Sequence, residues 1–369
     1  MAALSILLDR IRWTIGAPLT AIVVLAFTWG SHPEGIVLLV VAVLLVVSVL
    51  AAVHHAENVA HRVGEPFGSL ILAVAVTVIE VGLILSLMAG GGKDTSELAR
   101  DTVFAAVMIT INGIAGLSLL VSALKYRFAV FNPEGTGAAL ATVVALAALC
   151  LVLPTFTTGA EGPEFTSDQL AFAAVASLSL YVLFVFTQTV RHRDFFMPVS
   201  ADGRVLDVDG DGHADPPTDR ATAGSLALLV VALVSVVGLA KVASGAIEDA
   251  VAAVGAPQSF VGVIIALLVL LPESIAAVRN AAGERVQISL NLAYGSAMAS
   301  IGLTIPALAV ASIWIETPLS LGLQPTQVVL LVTSVLVSTL TVVTGRSKPL
   351  QGGVHLVLFA AFIFLSISP

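Results

Sequence analysis

Two glutamates stand alone in long apolar stretches, Glu80 in LILAVAVTVIEVGLILSLM and Glu273 in VGVIIALLVLLPESIAAV. No basic residue lies within a helical turn of Glu80, and Arg279 is six residues from Glu273. An ionised acid at the centre of a membrane helix costs about 2.5–3.5 kcal/mol, so two of them need a reason. Carboxylates that converge in a low-dielectric cavity raise each other's affinity for protons, and desolvation raises both further. A hard divalent cation can replace those protons, because calcium takes oxygen ligands from carboxylates, carbonyls and water. Proton and cation would then exclude one another.

Neutral oxygens lie nearby in the sequence. Thr110 and Asn112 occur in VMITINGIAG, and Ser296, Ser300 and Thr304 in YGSAMASIGLTIP, spaced by four so as to share a helix face. Pro272 precedes Glu273. A helical proline disrupts the bond to the carbonyl four residues earlier, which is that of Leu268, and the freed oxygen is expected to face the cavity beside Glu273. The candidate ligand set is therefore Glu80, Glu273, Asn112, Ser296, Ser300 and the Leu268 carbonyl.

Two polar elements lie outside the apolar runs. His54, Glu57, Asn58 and His61 follow an i, i+3, i+4, i+7 spacing. Histidine titrates near neutrality, so this face, with Glu65 at the start of the next helix, is a candidate proton route or pH sensor, or a solvated helix end. The segment RHRDFFMPVSADGRVLDVDGDGHADPPTDR holds Asp207, Asp209, Asp211 and Asp215 at positions 1, 3, 5 and 9 of a calcium loop, with Gly212 at position 6. Position 12 is Thr218 rather than glutamate, and no flanking helix is evident. The alternatives are a calcium-binding turn and an acidic solvated linker.

The elements that must position these groups follow from composition. Of 369 residues, 58% are hydrophobic and 11% charged, with a mean hydropathy of +1.04. Soluble domains carry roughly 25% charged residues, so this is a polytopic all-α membrane protein. The net charge of −8 argues against nucleic acid, and the single cysteine, Cys150, excludes an internal disulfide. Eleven runs are long enough to cross a bilayer: roughly 12–30, 35–53, 66–89, 101–124, 135–153, 168–190, 222–244, 257–279, 287–313, 326–344 and 350–368. Thirteen of the sixteen Lys and Arg residues fall on the N-terminal side. The positive-inside bias puts the N-terminus in the cytoplasm and the C-terminus outside.

A shift of 193 residues lays Phe67, Ile71, Ala73 and Glu80 on Phe260, Ile264, Ala266 and Glu273. The two acids then sit in spans three and eight, and an odd offset reverses direction across the bilayer. Such inverted repeats enclose the substrate site of many secondary transporters. The expected organisation is a leading helix (1–30), a first five-helix repeat (31–190), an acidic cytoplasmic loop (191–221) and a second five-helix repeat (222–369).

The stretches HHAENVAHRVGEPFGSLILAVAVTVIEV and VLLPESIAAVRNAAGERVQISLNLAYGSAMASIGLTIP resemble the two repeats of ChaA-type calcium/proton antiporters of the calcium/cation antiporter superfamily. Ile79 and Pro272 stand where many members have asparagine. The resemblance implies that Glu80 and Glu273 bind cation or protons in turn, in a site built by spans three, four, eight and nine. The expected activity is export of Ca2+ against H+ by alternating access; the alternative is Na+ or K+ exchange for H+ on the same fold. A channel is disfavoured because Glu80 and Glu273 are the only acids read as intramembrane. An enzyme is disfavoured because no catalytic constellation lies in the spans, and no cofactor is expected. The expected partners are lipid, inorganic cations and protons, and the short loops favour a bacterial inner membrane. No oligomeric signature stands out.

Overall fold

The computed structural model describes residues 2–64, 67–88, 95–199, 217–314 and 319–369, with side chains from Trp13 onward, Ser69 aside. It is built of helices. Among the described residues, nine are long and apolar enough to cross a membrane, or ten if a bent pair counts as one span. The first helix adds a shorter apolar stretch, Trp13–Thr28.

The chain divides into two compact units. One takes Met1–Thr95 with His213–Gly255, the other Ser96–Gly212 with Ala256–Pro369. The first contains α1 (Ala2–Thr28), α2 (Gly35–Val63), α3 (Phe67–Met88) and α9 (Asp219–Ala253). Two of these helices overrun their apolar stretches. Helix α2 carries the His54–His61 face inside its last turns and stops at Gly64, whose φ of +75° favours glycine. Helix α9 starts at the side chain of Thr218, which accepts from the amide of Ala221 at 3.3 Å. A helix therefore does follow the acidic loop directly, and Thr218 caps it. Arg62 pairs with Asp219, Asn58 with Ser225 at 3.5 Å, and the Lys241 ammonium lies 5.7 Å from the Trp29 ring centre.

The second unit begins with a long, irregular span, Thr95–Tyr126. It comprises α4 (Leu98–Met108), a π-helical segment (Ile109–Ile114) and α5 (Ala115–Tyr126). Then come α6 (Pro133–Ala147), a second π-helical turn at Ala148–Val152, α7 (Leu153–Phe156) and α8 (Ser167–Phe186). Helices α10 (Phe260–Val269) and α11 (Leu271–Ala282) form the bent pair, with 55° between them. Helices α12 (Val286–Gly302), α13 (Thr304–Ala311), α14 (Pro325–Val342) and α15 (Pro349–Ile367) complete the unit. A two-residue antiparallel pairing joins Ala129–Val130 to Arg346–Ser347.

Lipid removes most of the hydrophobic drive between helices, so close backbone approach must hold them together. The α5–α15 crossing shows this. A Cβ built on Gly352 would lie 2.6 Å from the Leu120 nitrogen and 2.9 Å from the Gly116 oxygen. One built on Gly116 would lie 2.6 Å from the Cβ of His355. Only hydrogen at both positions lets the two backbones meet.

Candidate functional site

Glu80 is the only ionisable residue of α3 and is 2% exposed. It belongs to the first unit, in mid-helix. Glu273 is buried and belongs to the second unit, in a different backbone setting. The chain breaks at Leu270, and Pro272 falls in the first turn of α11, where its missing amide costs nothing. Glu273 follows in that same turn. The helix N-terminus carries a partial positive charge that favours an anion there. The Leu270 carbonyl accepts from the Ser274 amide at 2.9 Å and from its hydroxyl at 2.7 Å. Leu268 lies two residues before the break, half-buried in α10. The proline thus ends one helix and starts another, where sequence alone implied a kink in a continuous one.

The neutral oxygens divide. Ser296 and Ser300 share α12, half-buried and buried respectively. Thr304 does not continue their face: α12 ends at Gly302 and Thr304 opens α13. The expected spacing by four is interrupted because Leu303 leaves the regular helix, with φ of −109°. Thr110 donates to the carbonyls of its own helix, Ala106 at 2.7 Å and Val107 at 2.9 Å. Asn112 lies in the π-helical segment, wholly buried. Its Nδ2 donates to Ser334 at 2.8 Å, and its Oδ1 lies 3.0 Å from Nδ1 of His355.

In the first unit, His54 is half-buried while Glu57 and His61 are exposed. Asn58 Nδ2 lies 3.3 Å from His54 Nε2. His55, passed over in the sequence pattern, is the buried member of this stretch, 3.0 Å from the Thr14 carbonyl. Glu65 and the loop aspartates Asp207, Asp209, Asp211 and Asp215 lie outside the described residues.

Two features escaped sequence reasoning. Asp101 is a further buried acid within a span, contrary to the expectation that Glu80 and Glu273 are the only two. It is held by Arg100, itself 2% exposed, at 2.9 Å; Arg100 also reaches Glu97 at 2.8 Å, and Gln327 donates to Asp101 at 3.1 Å. The adjacent Arg–Asp pair at an apolar boundary was the available signal. The second feature is His355 with Ser334, whose partner Asn112 lies more than two hundred residues away in the chain.

An all-helical bilayer-crossing chain with carboxylates buried in its spans and a broken helix at one of them has the build of a secondary transporter. Comparison with known proteins narrows this. The sodium/calcium exchanger protein family matches residues 34–190 and 224–368. A protein described as an ionic transporter, y4hA of Sinorhizobium fredii, is 44% identical over 364 residues, covering 97% of this chain and 96% of its own. The sodium-potassium/proton antiporter ChaA of Escherichia coli is 33% identical over 350 residues, 94% of this chain and 93% of its own. The crystal structure of the H+/Ca2+ exchanger CAX superposes with a TM-score of 0.69 at 16% identity, covering 97% of this chain and 93% of that one; at that identity it shows the shared fold. The chain belongs to the sodium/calcium exchanger protein family, as a ChaA-type antiporter of the calcium/cation antiporter superfamily, and is a transporter rather than an enzyme.

Proposed function

We propose that the chain exports Ca2+ from the cytoplasm in exchange for H+, by alternating access at a site built on Glu80 and Glu273. The observation that carries this reading is the burial of both carboxylates within apolar spans, one of them at the N-terminus of a broken helix. Half-helix ends of this kind are the means by which transporters handle charge at membrane depth. Asn112, Ser296, Ser300 and the Leu268 carbonyl complete a donor set made wholly of oxygen, which suits a hard cation. Bound protons or bound cation each offset the charge of the two acids, so either loaded form can cross the barrier that the bare site cannot.

Exchange of Na+ or K+ for H+ at the same acids is the second reading. It is favoured by the 33% identical relative, whose name gives sodium and potassium. The rest of the organisation follows from the same reading. One leading helix (1–30) precedes two five-span halves of opposite direction, 31–190 and 222–369, around a cytoplasmic loop at 191–221. The family's match to 34–190 and again to 224–368 supports those halves. His54, Glu57, His61 and Glu65 would serve as a cytoplasmic proton route or pH sensor, and Asp207, Asp209, Asp211 and Asp215 as a weak calcium turn or an acidic solvated linker. The membrane is a bacterial inner membrane, with the N-terminus inside.

The test is proton flux in proteoliposomes with an imposed pH gradient, given Ca2+, Na+ or K+ separately. Micromolar Ca2+ should collapse the gradient in the wild type and fail to do so in Glu80→Gln and Glu273→Gln. Collapse by millimolar Na+ or K+ alone would move the assignment to the second reading. Exchange that survives in both variants would overturn the site.

A further inference from the structure

Asn112 is the proposed neutral ligand whose carboxamide reaches two other helices, through Ser334 of α14 and His355 of α15. Thr110, two residues before it, bonds carbonyls of its own helix. Within its own span the carboxamide of Asn112 has only the Met108 sulfur, at 3.8 Å, and the π-helical segment that carries it departs from the regular i→i−4 ladder. A carboxamide offers nearly equivalent shapes in two orientations, so its neighbours decide which end faces where.

The Ser334 contact favours one of the two. The Ser334 hydroxyl is 2.7 Å from the Leu330 carbonyl and gives its single hydrogen there. Toward Asn112 it can therefore only accept, which fixes Nδ2 on the Ser334 side at 2.8 Å. Oδ1 must then face the imidazole of His355 at 3.0 Å, and Nδ1 must carry the hydrogen. Nε2 lies 3.3 Å from the Thr341 hydroxyl, which itself donates to the Val337 carbonyl at 2.8 Å. His355, Ser334 and Asn112 are each at most 1% exposed, so water does not compete. The ring reaches this depth because Gly116 has no side chain at the point where α15 crosses.

We propose that His355 is a positioning residue for the cation site: its Nδ1–H holds the Asn112 carboxamide with one oxygen lone pair engaged and the other presented to the transported cation. This deepens the proposed function, resting on Asn112 as a ligand, and adds a residue that does not itself touch the ion. Protein donors that hold a ligand in place tune its affinity in the way that outer-shell partners do at metal sites. Loss of the donor lets the amide turn and weakens cation binding while leaving the carboxylates intact.

The test is a double-mutant cycle in the same proteoliposome assay, reading apparent KM for the transported cation apart from maximal rate. His355→Leu should raise KM about tenfold, the equivalent of one buried hydrogen bond, with maximal rate within about twofold. His355→Gln keeps an N–H donor and should recover most of that loss. In an Asn112→Ala background, which raises KM by itself, His355→Leu should add less than twofold. An undiminished effect of His355→Leu in that background, or no rescue by glutamine, overturns the inference and leaves the proposed function standing. An unchanged KM in Asn112→Ala removes Asn112 from the ligand set and the inference with it, while loss of exchange in Glu80→Gln and Glu273→Gln still tests the antiport reading separately. Should His355→Leu not yield monodisperse protein, Ser334→Ala carries the cycle, because it releases the other end of the same amide.

Discussion

Single buried polar side chains in this molecule are handled in two distinct ways. Glu80 and Glu273 are buried in apolar helices, at the positions proposed to take up protons and cation in turn. Arg100 and Asp101 neutralise each other permanently, with Glu97 and Gln327 taking further hydrogen bonds. A pair of that kind contributes little net stability when intact, yet removing one partner strands the other and costs about 3–5 kcal/mol. Asp101→Asn should therefore lower the unfolding temperature of the detergent-solubilised protein clearly. Thermal unfolding of an Arg62→Ala variant should barely change, since the Arg62–Asp219 pair is exposed and such pairs are worth about 0–1 kcal/mol. An Asp101→Asn protein as stable as the wild type would mean that Arg100 is satisfied by Glu97 alone.

Helices in this chain are defined less by where they run than by where they break. Pro272 and the π-helical segment at Ile109–Ile114 each place a proposed ligand at or beside an irregularity. Packing at the α5–α15 crossing leaves no slack: Gly352→Leu drives a side chain into the Leu120 and Gly116 backbones. Overpacking of this sort costs about 1–3 kcal/mol, read as a lower unfolding temperature and reduced yield. The apolar runs were legible in the sequence because a span needs about 20 such residues whatever its neighbours do. The two glutamates were legible for the converse reason, as single charges where none is expected. Helix ends were less so: α2 and α9 continue well past their apolar stretches, because nothing local stops them before Gly64 and Val254. The break at Leu303 did have a mark, Pro306, which has no amide to offer the Gly302 carbonyl four residues earlier; the π-helical turn left none. His355 went unremarked in the sequence because its partners, Asn112 and Ser334, are brought to it by the fold.

At the scale of the whole molecule, orientation in the bilayer is the most direct check. If the proposed topology, which puts thirteen of the sixteen basic residues on the cytoplasmic side, holds, a reporter that fluoresces only in the cytoplasm lights up when fused at the N-terminus and stays dark at the C-terminus. The opposite pattern would invert the direction of export as well as the topology. One further consequence lies in the order of synthesis. The first compact unit draws on Met1–Thr95 and again on His213–Gly255, and α9 supplies partners for Arg62, Asn58 and Trp29. The earliest helices to leave the ribosome therefore wait, inserted but incomplete, until more than half of the chain has been translated. Chains usually fold N-terminal parts first; here the opening helices depend on a latecomer. A gene cut within the 200–216 stretch should consequently give an N-terminal fragment that is degraded when expressed alone and rescued when the C-terminal fragment is co-expressed.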